Sequence, residues 1–463
     1  MSTIKTYQDL QKIRENEQDT MEFILTVISE HKTSDLYRIS EKAGQYYRHL
    51  NPTIMAAQKI VYDMLGRAQV DKYAKNNKIP CRYYFYFVTQ EVQYLLGNGV
   101  SFGENTTKEA LGGPKFDIAL QDLTTKAVNA GQAYGFWNYD HLEVFAASPN
   151  GSEPAFAPLW DEENGALRAG VRFWQVDATK PLRVTLYEED GLTEYIRRPG
   201  EEMEVMKEKR PYVLTEGYSE ATDETIILDG KNYPSFPIIP LYNINRQSEL
   251  IGSQGTLDAY DLMASQMVNN VDEGNLIYWV LKNYGGMDEI DDANFLQQLR
   301  TTHVAHADGG GAGSDIDVHT VEAPVAASET ALARLRDQLF DDFMALDTKN
   351  IASGAATATQ IKAAYEPLNA KVNLLEACVS DFILALLELL GIDDNPTYTR
   401  SVIINKQEET TNVLQAAQYL SEQYVTSKLL EINGDIDKYE DVEAQKISGD
   451  MARYPLEEEY VEE

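Results

Sequence analysis

Ser253-Gln254-Gly255-Thr256-Leu257-Asp258-Ala259-Tyr260-Asp261 opens a run in which Leu257, Tyr260, Met263, Ala264, Met267, Val268 and Val271 recur on one side of a 3.6-residue period. That period predicts a helix from Gly255 to about Leu276, roughly 30 Å long at 1.5 Å per residue. A β-type run, Ile277-Tyr278-Trp279-Val280-Leu281, follows directly and stops at Tyr284-Gly285-Gly286. A short acidic helix to Arg300, a strand at His303 to Ala307 and the turn Asp308-Gly309-Gly310-Gly311-Ala312-Gly313 complete the insertion. A second amphipathic helix then returns over Ser328 to Leu346, with Leu332, Leu335, Leu339, Phe343 and Leu346 as its stripe. Two such helices forming a thin hairpin cannot bury both stripes alone. They need neighbours.

Downstream, Asn350-Ile351-Ala352-Ser353-Gly354-Ala355-Ala356-Thr357 is too poor in bulky side chains to build a core and reads as a flexible loop. A long helix is expected from about Thr359 to Leu390, with Ile361, Tyr365, Leu368, Val372, Leu375, Val379, Phe382, Leu386 and Leu390 on its apolar side. Pro367 lies inside it and predicts a kink, because its ring removes a hydrogen bond and crowds the carbonyl of Ala363. Val402-Ile403-Ile404 reads as a strand, acidic helices as filling the chain from Glu408, and Glu457 to Glu463 as a frayed tail.

Upstream, Thr20 to Ile28 reads as helix, and Asn51-Pro52 offers a cap followed by proline at the first helical position. The aromatic run Tyr83-Tyr84-Phe85-Tyr86-Phe87-Val88 reads first as strand, with helix as the alternative. Phe116 to Tyr134 suits a helix through Ile118, Leu120, Leu123, Ala127 and Val128. From Leu142 to Ile239 short β-type runs (Val171 to Trp174, Leu182 to Tyr187, Thr225 to Leu228) alternate with turn signals at Glu189-Asp190-Gly191 and Leu228-Asp229-Gly230. They predict an antiparallel β module of hairpins, followed by an extended linker at Pro234, Pro237 and Pro240. The fold class is α+β, predominantly helical.

The chain has 463 residues, enough for two or three modules, and a formal charge of −34. Such acidity keeps a protein soluble and repels phosphate, so a protein that grips nucleic acid is disfavoured. A surface along which DNA slides is compatible with it. Met1 to Asp19 is polar and does not read as a signal peptide. The most apolar stretch, Leu374 to Leu390, is interrupted by Glu376, Asp381 and Glu388, which favours a packed helix over a membrane span. The two cysteines, Cys81 and Cys378, suit a reduced intracellular setting, with a single bridge left open by sequence.

Sharper chemical readings have bland competitors. His303, His306 and His319, with Asp308, Asp315 and Asp317, could serve a metal-dependent enzyme. Yet a spacing of three on a strand points His303 and His306 to opposite faces, which favours exposed polar residues. Gly309 to Gly313 lacks the Gly-Lys-Ser/Thr of a phosphate-binding loop, and no Gly-x-Ser-x-Gly nucleophile elbow occurs. The aromatics from Tyr83 to Phe87 lack the interleaved lysines of a base-stacking surface, which favours packing. Catalytic residues, metal ligands and cofactors are not expected.

The order of parts resembles the portal proteins of tailed double-stranded DNA phages with long non-contractile tails. The likeness is carried by Asn243-Ile244-Asn245, by Ser253 to Asp261 with Asn269-Asn270, and by Tyr278-Trp279-Val280-Leu281-Lys282-Asn283-Tyr284-Gly285-Gly286. Val318-His319-Thr320 after the glycine turn and Val92-Gln93-Tyr94-Leu95-Leu96-Gly97-Asn98-Gly99-Val100 add to it. It is strongest from about Tyr83 to Leu390 and weakest in the acidic C-terminal part.

The resemblance implies a portal fold with wing, stem, clip and crown, assembled as a dodecameric ring. Residues 1–254 and 359–405 would be wing, 255–276 and 325–346 stem helices, 277–324 clip, 347–358 tunnel loop, and 406–463 crown and acidic tail. The implied partners are further copies of the chain, major capsid and scaffold proteins, the terminase, the head–tail connector, and duplex DNA passing without sequence specificity, with no membrane. The ring would sit at the portal vertex of the virion after assembly in the host cytoplasm. Lys349, Asn350, Ser353, Thr357, Lys362 and Lys371 become the expected DNA contacts, Pro367 the helix kink, and Trp279, Lys282, Tyr284 and Arg300 the clip residues meeting partners. Another head or connector protein with the same helical architecture is the structural alternative.

Overall fold

A computed structural model describes residues 5–16, 19–62, 66–71, 74–149, 153–219, 224–272, 276–282, 315–321, 325–349, 358–400, 406–433, 439 and 442–444. The chain divides into two units, one of Met1–Glu41, Phe87–Glu249 and Phe343–Glu463, the other of Lys42–Tyr86 and Leu250–Asp342.

The first unit is built around an antiparallel five-stranded meander, in the order Met203–Arg210, Gly191–Arg197, Leu182–Glu188, Leu167–Trp174, Ala155–Trp160. The expected hairpins at Val171 to Trp174 and Leu182 to Tyr187 are adjacent strands of this sheet. Alternation sends Val171, Phe173, Val184 and Leu186 to one face. There they meet Leu10, Phe23, Ile24, Val27 and Ile28 of the helices Tyr7–Glu15 and Thr20–Thr33. Asp19 caps the second helix by accepting from the Met21 amide.

The sheet's other face carries an aromatic cluster of Phe156, Tyr187 and Tyr212 with Tyr134, Phe136 and Phe145. The last three come from a smaller sheet in the order Ile238–Tyr242, Gln132–Asn138, His141–Phe145. The helix Pro114–Ala130 precedes that sheet and ends at Gly131, whose φ of 91° is open to glycine and whose N–H bonds the Ala127 carbonyl at 2.7 Å.

The helix Ala358–Leu390 runs through 33 residues, with Pro367 inside it. Ile361, Leu368, Val372, Leu375, Val379, Phe382, Leu386 and Leu387 are all buried. Each contributes about 1.5–3 kcal/mol of apolar burial. Phe382 lies so close to Gly135 that a β-carbon there would collide with its ring. Past the helix, Pro396–Tyr398 pairs with Val100–Phe102.

In the second unit the helices Gln254–Asp272 and Val325–Asp342 pack along each other. A hairpin pairs Leu276–Lys282 with Asp315–Val321, Tyr278 opposite His319. Asn51 caps Pro52–Ala56 by accepting from the Thr53 and Ile54 amides, as Asn51-Pro52 predicts.

Several expectations are corrected. The aromatic run is helix, Tyr83–Leu96, not strand. Tyr84, Phe87, Val88, Glu91, Val92 and Leu95 are buried while Phe85 is exposed, a period of 3.6 that overrides the β preference of single residues. Phe116 to Tyr134 is not one helix, because Gly131 ends it and Tyr134 is a strand residue. Leu228-Asp229-Gly230 is not a turn. It lies within the strand Glu224–Lys231, where a bulge shifts the register opposite Thr215 and Glu216. Pro240 pairs with Tyr134 in an edge strand, where a missing N–H is tolerated, so the proline segment is not wholly linker. Leu276 belongs to a strand and not to the first helix of the second unit, and the second helix, Val325–Asp342, stops short of Leu346. The expected strands at His303 to Ala307 and Val402 to Ile404, the acidic helix to Arg300 and the tail from Glu457 lie outside the described residues. Acidic C-terminal helices occur at Lys406–Ala416 and Glu422–Asn433. Cys81 and Cys378 are free, and among the described residues no helix is long and apolar enough to cross a membrane.

Gly170 tests the packing of the two sheets. A β-carbon there would collide with the ring of the fully buried Phe156 at its Cζ. Gly170→Ala is expected to cost about 1–3 kcal/mol, read as a lower denaturation midpoint with an unchanged far-ultraviolet spectrum. An unchanged midpoint would contradict this packing.

Candidate functional site

The first unit holds a buried ion cluster on the long helix. The Lys371 Nζ lies 2.8 Å from Glu91 Oε2 and 2.8 Å from Glu249 Oε2, and donates to the Phe343 carbonyl at 3.2 Å. Its side chain is 8% exposed and that of Glu91 only 1%. Burial pushes the Glu91 carboxyl up from an ordinary 4.5 to about 7, with Lys371 opposing the rise and Glu249 adding to it. Burial also works against the charge of Lys371, but the two carboxylates outweigh it and its pKa is raised.

Neighbouring contacts fix the same segments. Phe87 stacks on Phe343 at 4.6 Å between ring centroids. The Gln90 amide bonds both backbone groups of Leu346, accepting from its N–H at 2.9 Å and donating to its carbonyl at 3.0 Å. The chain leading toward residues 347–358 is therefore tied to the helix Tyr83–Leu96 at both Phe343 and Leu346. On one flank of the long helix, Asn369 accepts from the Tyr94 hydroxyl at 2.6 Å and from Arg400 at 3.2 Å, and Arg400 also reaches Glu376 at 2.6 Å.

In the second unit the helix Gln254–Asp272 turns a polar line toward an extended strap. Asp261 accepts from the Cys81 amide at 2.8 Å, Ser265 from Ile79 at 3.0 Å and Asn269 from Asn77 at 2.7 Å. Two strand residues rise about 6.6 Å and four helical residues about 6 Å, so spacings of two and four stay in step. The helix thus supplies an edge that an extended chain can bond. Asn51 donates to Asp258 at 3.0 Å and to Asp261 at 2.8 Å, and the Tyr46 hydroxyl donates to Asp258 at 2.6 Å. Burial raises the pKa of Asp261, and the hydrogen bonds it accepts oppose that rise. Tyr83 packs edge-on against Tyr260 and Phe340, touching both helices. Leu262, Val268 and Val271 remain exposed on the same helix, at 43%, 37% and 59%.

The residues singled out from sequence fall in different settings. Lys349 and Lys362 are exposed and carry no ion pair among the described residues. Lys371 is a correction. Its ammonium is buried between two carboxylates and is not available to phosphate. Pro367, which has no amide N–H to donate, lies inside the helix Ala358–Leu390. Trp279 and Lys282 stand in the hairpin opposite Val318 and Asp315. Asn350, Ser353, Thr357, Tyr284, Arg300, His303 and His306 lie outside the described residues. Among the described residues no group of three or more His, Cys, Asp and Glu could hold a metal ion. The buried cluster went unread in the sequence, although Lys371 falls in line with Leu368, Val372 and Leu375.

Comparison with known proteins matches residues 25–450 to the family described as phage portal protein, SPP1 Gp6-like. The portal protein of Bacillus phage SPP1 is 25% identical over 419 residues, covering 85% of this chain and 79% of its own. That of Clostridium phage phiCD119 is 30% identical over 179 residues, 36% of this chain and 39% of its own. Among solved structures, chains from the neck of an empty gene transfer agent particle and from the virion of a native one align with TM-scores of 0.39 and 0.40. They are 11% and 12% identical, and the alignments cover 75% of this chain and 90% and 89% of theirs.

The ion cluster sets a direction for pH dependence. With its pKa raised, Glu91 holds a proton more tightly in the folded than in the unfolded chain. Stability therefore falls as pH rises from about 4.5 to about 7, and the penalty is absent below that window. Denaturation midpoints of the parent should fall across it relative to Glu91→Gln, which lacks the ionisation; parallel curves would contradict the cluster. Lys371→Met leaves Glu91 and Glu249 without their counter-ion and should cost on the order of 3–5 kcal/mol.

Proposed function

The chain belongs to the SPP1 Gp6-like family of phage portal proteins, and on that premise we propose that its copies close into a ring at one vertex of a phage head. The ring is the conduit for DNA entering during packaging and leaving at ejection. It is also the platform on which the packaging motor and later the tail connector dock. The observation that carries this reading is the family match over residues 25–450, nearly the whole chain. It favours a portal over a metal-dependent enzyme using His303, His306 and His319. The chain acts as a structural part, and the ATP hydrolysis that moves DNA belongs to a separate motor.

Physical features support the assembly. Leu262, Val268 and Val271 on the helix Gln254–Asp272, and Leu414, Tyr419, Leu420 and Tyr424 on or between the C-terminal helices, are exposed apolar side chains in a single chain. Head-to-tail contacts that close into a ring would cover such surfaces with identical copies. Twelve copies, the number the family resemblance implies, would carry about −400 formal charge, enough to keep phosphate from adhering along most of a channel. The helices 254–272 and 325–342 serve as stem, the hairpin of 276–282 and 315–321 as part of the clip, residues 347–358 as the tunnel loop, and the remaining segments as wing and crown. Capsid and scaffold proteins surround the wing. Lys349 and Lys362, the exposed cations beside the loop, are the points where DNA meets positive charge.

Negative-stain images of the purified chain should contain rings with a central hole of roughly 20–40 Å, wide enough for duplex DNA; compact single subunits alone would defeat the reading. In assembled heads, the double variant Lys349→Glu and Lys362→Glu should package or retain less DNA while rings still form. Unchanged packaging and retention would remove the two lysines from the channel contacts.

A further inference from the structure

The outer face of the five-stranded sheet is only partly covered by the smaller sheet. Beside the residues of that smaller sheet, Arg172 stands opposite Thr185, and Thr185 opposite Glu194, while Trp174 stands opposite Arg183. Alternation places these side chains on one face, with Arg172 and Arg183 as diagonal neighbours on adjacent strands. They line a cleft of about 300 Å³ together with Tyr187, Tyr212, Phe136 and Met206.

The charges in this cleft are unevenly matched. Arg210 is committed to Glu194 at 2.7 Å, and Lys207 reaches the same carboxylate at 3.2 Å. Glu143 accepts from Asn138 at 2.8 Å. Arg172 lies over the Phe145 ring at 5.1 Å and hydrogen-bonds the Tyr187 hydroxyl, while its Nε is buried without a hydrogen-bond partner. Among the described residues the Arg183 guanidinium reaches the Met206 sulfur, at 3.6 Å, and no carboxylate. Among the described residues neither Arg172 nor Arg183 has an ion pair, in a chain with 74 acidic side chains against 40 basic ones. Two adjacent guanidiniums without a carboxylate partner among the described residues, in so acidic a protein, are suited to an anion that arrives from outside.

We propose that this cleft binds an acidic peptide segment of a partner protein, one carboxylate settling on Arg172 and Arg183 while an adjoining apolar or aromatic side chain lies against Trp174 and Met206. A carboxylate suits the site better than nucleic acid. Glu143 and Glu194 flank the cleft and would repel the dense charge of a duplex backbone. The volume accommodates one or two side chains, not a helix of DNA. The inference does not rest on ring formation, because every residue it uses lies within one unit of a single chain.

Fluorescence polarisation of a labelled peptide, acetyl-Glu-Glu-Tyr-Glu-Glu-amide, titrated with the full-length protein tests this. Saturable binding is expected, weakened at least tenfold by Arg183→Glu at an exposed position and by Arg172→Gln, and changed less than twofold by Lys12→Glu, exposed on a helix that packs on the opposite face of the sheet. Circular dichroism of each variant confirms that it is folded, and the exposed Arg183→Glu alone suffices if Arg172→Gln does not fold. Three results would overturn the proposal: no saturable binding, equal loss with Lys12→Glu, or a 20-base-pair duplex that binds in place of the peptide and is lost with Arg183→Glu.

Discussion

One ammonium buried between two carboxylates is the constraint on which the rest of the first unit depends. Lys371 joins Glu91 of one helix, Glu249 of the segment before another and the carbonyl of Phe343, which are remote in sequence. Charges out of water are costly unless paired, and a misplaced long helix would leave these three unpaired. The cluster therefore selects one rotation and one register for Ala358–Leu390. The stacked pairs Phe87–Phe343 and Tyr94–Tyr365 add apolar area on either side, and the flank formed by Asn369, Glu376 and Arg400 repeats the selection about one turn away.

Much of this architecture was legible in the sequence because burial follows simple periods. The stripe from Ile361 to Leu386, the strands at Val171 and Leu182 and the cap at Asn51 all appear where spacing and residue type place them. The aromatic run at Tyr83 was misread because propensity was weighed before period; the exposure of Phe85 between buried Tyr84 and Phe87 excludes alternation. Lysine is seldom buried, which favours a channel cation at Lys371, although its phase in the stripe points inward. The polar line of Asp261, Ser265 and Asn269 could not be read alone. Its meaning lies in the strap at Asn77 to Cys81, nearly two hundred residues earlier, as the separation of 180 between Cys81 and Asp261 records. Arg172 and Arg183 likewise look like ordinary outward strand positions until the smaller sheet is seen to cover only part of their face.

The second unit presents a different economy of surface. The helix Gln254–Asp272 spends its inward face on polar bonds to the strap and on Tyr83, and leaves Leu262, Val268 and Val271 outside. A helix arranged this way is finished only when something apolar lies against it. For a member of a portal family, the simplest covering is the same helix pair of an adjacent copy, repeated until the circle closes.

Hydroxyl-radical footprinting with mass spectrometry, comparing dilute subunits with the assembled fraction of the same preparation, addresses that claim at single residues. Labelling of Leu262, Val268 and Val271 is predicted to fall severalfold on assembly, while exposed positions on the β module such as Val176 stay equally reactive. Equal labelling of the three helix residues in both fractions would contradict the account.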